Sequence, residues 1–141
     1  MAKKLFSVLA IMFALLVPAM AAPVGAAQLK GTYSFQVAGI TTTNKNVPVE
    51  KITVGTISFN GAGKATFLSV SQYNQQSGGG PVKGTVAIYK VAGNVGTLTI
   101  AGAKGGTVSL SLGSYNAAGI ATVIQLFIPD TQPSLGTAVL Q

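Results

Sequence analysis

From residue 28 onward one short phrase keeps returning: glycine, usually threonine, then apolar residues two and four places after the glycine. It reads GTYSF at 31, GTISF at 55, GTVAI at 84, GTLTI at 96, GTVSL at 106 and GTAVL at 136, with looser relatives GKATF at 63 and GIATV at 119. Side chains alternate across a strand, so this spacing sends Tyr33 and Phe35, Ile57 and Phe59, Val86 and Ile88, Leu98 and Ile100, and Val108 and Leu110 to one buried face. The other face reads Thr, Ser and Ala, polar but almost uncharged. β-Branched residues dominate the phrases, Gly and Asn clusters separate them, and no stretch after residue 28 keeps a helical period, which predicts eight strands. Their unequal spacing excludes a solenoid of fixed units. Across Gly55 the apolar phase changes, from Ile52 and Val54 to Ile57 and Phe59, which predicts a bulge at that glycine.

Eight consecutive antiparallel strands joined in order close into an all-β, eight-stranded up-and-down barrel without free edges. A two-sheet β-sandwich accommodates the same strand count and is the alternative. In a closed meander the links after odd strands share one rim. Those links are AGITTTNKNVPVE, NQQSGGGP and PDTQPS, whereas NGAG, AGNV and YNAAG follow even strands, so the longer, more polar loops gather at one mouth. The stretch SFNGAGKATF, 58–67, superficially suggests a phosphate-binding loop. Such a loop needs a glycine five residues before its Gly-Lys pair, a Ser or Thr after it and a following helix. Here Ser58 precedes, Ala65 follows and ATFLSVSQY reads as strand, so the stretch is a hairpin turn.

The N-terminus departs from the pattern. Met1-Ala2-Lys3-Lys4, the apolar run Leu5 to Val17 and the small-residue stretch PAMAAPVGAAQ form a signal peptide, assigned to 1–27. The apolar run is too short to span ~30 Å of hydrocarbon, which takes ~20 residues. A cut after Ala27 is preferred to one after Ala21. This leaves 28–141 as a single β-barrel domain, exported to the periplasm or the exterior. No cysteine exists to carry a lipid or a disulfide.

The missing residue types limit the chemistry. Without histidine, cysteine, tryptophan or arginine, the usual nucleophile–base pairs and the usual zinc and haem ligands are absent, so no catalytic residue, metal or cofactor is assigned. Glu50 and Asp130 both fall in long links at one rim and read as solvated loop charges rather than a glycosidase pair. Seven lysines after residue 28 give that part a net charge of +5. With no arginine for bidentate contacts and no run of stacking rings, nucleic acid is not expected as a partner. Lysines near strand ends, among them Lys45, Lys51, Lys64, Lys83 and Lys104, read as guards against edge pairing. Short strands and a Thr/Ser outer face also argue against a membrane span after residue 27.

Most aromatic rings read as core filling. Tyr73, with Asn74, Gln75 and Gln76 beside it at the long-loop mouth, is the leading ligand-contact candidate, with Tyr33 and Tyr89 as further candidates. The phrases GTYSFQVAG, GTISFNGAGKAT and GTAVLQ resemble short secreted bacterial proteins, and the strand pattern resembles the calycin and allene-oxide-cyclase types of barrel. The resemblance implies binding of a small apolar molecule in the first case and homo-oligomers in the second; the first strand lacks the tryptophan of lipocalins. The expectation is therefore a secreted, non-enzymatic small barrel binding a small apolar or amphipathic ligand at the long-loop mouth or in its interior. The alternatives are a self-assembling structural subunit and a cyclase-like isomerase acting through Tyr or Lys.

Overall fold

The computed structural model describes residues 23–42, 45–73, 81–102, 106–129 and 133–141. Eight antiparallel strands close in chain order into one barrel: β1 (Lys30–Thr42), β2 (Pro48–Asn60), β3 (Lys64–Tyr73), β4 (Val86–Ala92), β5 (Val95–Ile100), β6 (Thr107–Tyr115), β7 (Ala121–Ile128) and β8 (Ser134–Leu140). β8 returns to β1, pairing Tyr33 with Leu140 and Gly39 with Ser134. Every strand thus has two neighbours, which makes this the barrel and not the sandwich.

The even links are tight, and two of them are built the same way. The Asn60 side-chain carbonyl accepts from the backbone N–H of Ala62 at 2.8 Å and of Lys64 at 3.0 Å. Asn116 does the same for Ala118 and Ile120, both at 3.0 Å. SFNGAGKATF is therefore a hairpin closed by its own asparagine, with positive φ at Gly61 and Gly63.

The core alternates large and small side chains. Phe59 lies edge-on between Tyr33 and Tyr89, with ring centroids at 5.3 Å and 5.0 Å, and Phe35 meets Phe67 edge-on at 5.7 Å. Such pairs add about 0.5–1.5 kcal/mol each beyond the area they bury. The rings fit because Ala65, Ala87, Ala121 and Ala138 occupy other buried inner positions.

Two expected phases are corrected by the structure. On β4 the inner residues are Ala87 and Tyr89, while Ile88 is 62% exposed and Val86 half-buried. The strand begins only after the Lys83–Gly84 turn, so the Gly-Thr phrase lies one residue out of step there. The bulge expected at Gly55 lies instead on β3. Thr56 pairs with Ser69 and Ile57 with Phe67, which leaves Leu68 as the extra residue. Gly55 keeps regular pairing with Phe35, and a Cβ there would overlap the Ser69 carbonyl and reach within 3.0 Å of the Phe35 ring.

Candidate functional site: the long-loop mouth

The two ends of the barrel are finished differently. At the short-turn end a single 3-10 turn, Gly25–Gln28, packs against β4 and delivers Leu29 into full burial. The Tyr89 hydroxyl donates toward the Leu29 carbonyl at 2.8 Å and the Ala26 carbonyl at 3.0 Å. Tyr33 donates to the Ala121 carbonyl at 2.6 Å. Burial pushes the Tyr33 phenol up to about 12, opposed by the Lys30 backbone and helped by Tyr89. Burial also raises Tyr89, opposed by the backbones of Gly63 and Gly61. Both phenols are neutral donors at ordinary pH, Tyr89 fastening β4 to the end plug and Tyr33 fastening β1 to β7.

The long-loop end carries a different lining. With no bulge in β2, its inner residues run Phe59, Ile57, Gly55, Thr53 and Lys51 toward the mouth. Following the pairing around the wall, Ile128, Ser134, Gly39 and Lys51 form the outermost inner row. Leu126, Gly136, Val37, Thr53 and Gln72 form the next, and Ile124, Ala138, Phe35, Gly55 and Val70 the one below. Polarity falls with depth: an ammonium and a hydroxyl at the top, a hydroxyl and an amide beneath, then hydrocarbon alone. The Gln72 amide donates to the Pro81 carbonyl at 3.3 Å, tying β3 to the chain that returns toward β4.

Ser134 is 1% exposed, and its hydroxyl has no hydrogen-bond partner among the described residues. It leans over Gly39, where a Cβ would overlap it. Lys51 is half-buried. Of the charged residues on the described strands, Lys30, Glu50, Lys64 and Lys90 fall on the outer phase and Lys51 alone on the inner. A charge facing a barrel interior is disfavoured unless solvated or paired.

The candidates expected from sequence are not brought together. Tyr73 ends β3 at this mouth but stands on the outer face, 56% exposed and paired with Ile52. Asn74, Gln75 and Gln76 lie outside the described residues. Tyr33 and Tyr89 fill the opposite, plugged end. Lys51, Thr53, Gln72 and Ser134 were missed. The phase change at Gly55 was the misleading signal, since a bulge there would have turned Lys51 and Thr53 outward.

No protein-family model matches the chain, and no curated protein matches it in sequence. Among the described residues no three His, Cys, Asp or Glu side chains cluster as a metal site would require. None of their helices is long and apolar enough to cross a membrane.

Proposed function

We propose that this protein is an exported, non-enzymatic barrel that binds a small amphipathic molecule through its long-loop mouth. One observation carries the reading: the inner wall passes from Lys51 and Ser134 through Thr53 and Gln72 to Phe35, Val70 and Ile124, while the opposite end is plugged. A polar rim over an apolar floor suits a molecule with a polar head and a hydrocarbon body. The chain has no tryptophan, so a Gln72→Trp variant reports from the mouth without background. Titration with straight-chain amphiphiles of eight to sixteen carbons is expected to change its fluorescence saturably at one ligand per chain and to raise Tm. A flat titration together with an unchanged Tm would overturn the reading.

Export is part of the proposal, and the plug bears on where the leader is removed. The Ala26 carbonyl, which receives Tyr89, lies within the segment that a cut after Ala27 discards. A cut after Ala21 retains it, and the intact mass of exported protein distinguishes the two.

A second reading, self-assembly, is supported by the outer face. Phe127, Leu135, Ala38, Ile52 and Tyr73 are successive cross-strand partners running over β7, β8, β1, β2 and β3. Leu135 is 67% exposed, and the adjoining row of Gln125, Thr137, Gln36, Val54 and Ser71 carries no charge. A net-positive chain meets a second copy of itself most cheaply over such a face, where amides and hydroxyls both donate and accept. Light scattering of the wild type and a Leu135→Lys variant tests it: a wild-type dimer broken by the lysine supports assembly, and a wild-type monomer at every concentration refutes it.

A further inference from the structure

We infer that the row Ser134–Gly39–Lys51 is a head-group site for a carboxylate, so that the ligand class is an anionic amphiphile with an unbranched apolar tail. This rests on the mouth-binding reading above and goes beyond it in naming the charge of the ligand and the atoms that receive it.

Gly39 pairs with Ser134 on β8 and with Lys51 on β2, so the three occupy neighbouring places on one inner row. Three features of that row point to an acceptor of hydrogen bonds. The Ser134 hydroxyl is buried and has no partner among the described residues, and a buried group without a partner is costly to keep. The lack of a Cβ at Gly39 is what admits that hydroxyl onto the inner wall, because any larger residue would collide with it. On the other side of the glycine, Lys51 supplies the one positive charge that the described strands turn inward. An ammonium and a hydroxyl stand on either side of a bare Cα, and although the Pro133 carbonyl borders the same space, the hydroxyl has no partner among the described residues. A carboxylate offers two oxygens to such a pair, and its bonds to an ammonium are charge-assisted. Below the row Thr53 and Gln72 come first, beside Val37 and Leu126, and only beneath them do Phe35, Val70 and Ile124 make the wall hydrocarbon, where the end of a tail is suited and a second charge is not. The same row disfavours a cationic head, which would face Lys51 directly, and gives a neutral alcohol only half of the available bonds.

The variants separate this inference from the reading beneath it. With dodecanoate, dodecanol and dodecylammonium as probes of equal tail length, the wild type is expected to bind dodecanoate at least tenfold more tightly than dodecanol, and dodecylammonium weakest. Lys51→Gln should abolish the preference, weakening dodecanoate at least fivefold more than it weakens dodecanol. Ser134→Ala should weaken dodecanoate several-fold and yet raise the Tm of the unliganded protein, since it deletes an unpaired buried hydroxyl. A purely structural serine would show no ligand effect. If dodecanol binds as tightly as dodecanoate, or Lys51→Gln leaves the preference intact, the head-group site is refuted while mouth binding stands. If none of the three probes binds, the mouth-binding reading itself fails.

Discussion

The short-turn and long-loop ends of this barrel share the same eight strands but handle inward-facing polar groups in opposite ways. At the short-turn end two phenols reach across the interior and are spent on backbone carbonyls, so their polarity becomes part of the fastening. At the other end the Gln72 amide is tied to the Pro81 carbonyl, but on the outermost inner row, which Lys51 shares, the Ser134 hydroxyl has no partner among the described residues. Groups already committed to the fold stabilise it, whereas uncommitted ones lower stability and keep an interaction in reserve. The difference makes the plugged end structural and the mouth the place to look for a ligand.

The sharpest way to break this contrast is at Leu29. Leu29→Ala empties a fully buried position under the plug and should cost about 2–5 kcal/mol in denaturant unfolding. A loss below ~1 kcal/mol would mean the plug is not integral to the barrel. Next comes Gly39→Ala, whose new Cβ overlaps the Ser134 hydroxyl and should destabilise by about 1–3 kcal/mol. Combining it with Ser134→Gly should recover most of that loss, because the collision is with a side chain. Failure to recover would place the strain in the backbone.

Tyr33→Phe leaves the Ala121 carbonyl short of a donor and should cost about 1–2 kcal/mol. It also has a pH signature. Because the folded phenol is raised to about 12 from 10.0, the unfolded chain loses its proton first as pH rises. The stabilisation is therefore complete below pH ~10 and falls away by about 1.4 kcal/mol per pH unit up to ~12. Tm measured across this window should decline less steeply in Tyr33→Phe than in wild type. The smallest effect is at Lys51: Lys51→Gln should leave unliganded stability within about 0.5 kcal/mol, since the residue is half-buried at the rim and its ammonium has no bond to the described residues. A large loss would make it a structural cation.

The architecture was readable in the sequence because each strand carries its own glycine-led, period-two phrase, and closure follows from eight such strands joined by short links. The site was less readable for a reason visible at Gly55. An apolar phase change has two explanations, a bulge in the strand that carries it or outward-facing Ile and Val on an uncharged wall. A single chain's pattern does not separate them, because Ile52 and Val54 are as greasy as the core. The structure puts the bulge across the ladder at Leu68, and with it Lys51 moves to the inside. On β4 the bulky Ile88 outweighed the small Ala87 in the pattern, although the interior needs small residues beside its rings. Tyr73 was placed at the right rim, but the face of its strand depended on the same bulge.

Among the described residues β3 and β4 are joined over three residue pairs, Lys64 to Thr66 with Val86 to Ile88, extended at one end by the Tyr89 N–H to the Gly63 carbonyl and at the other by the exchange between Phe67 and the Gly84–Thr85 backbone. β1 and β2, by contrast, stay paired along their full length. A ring with one lightly stitched seam behaves like a split collar: thermal breathing concentrates where the fewest bonds must part. Amides along that join should be the first in the cylinder to trade hydrogen for deuterium. Above them, among the described residues, β3 runs on toward the rim laddered on its β2 side and held on the other by the Gln72 amide on the Pro81 carbonyl, so few bonds keep the wall shut there.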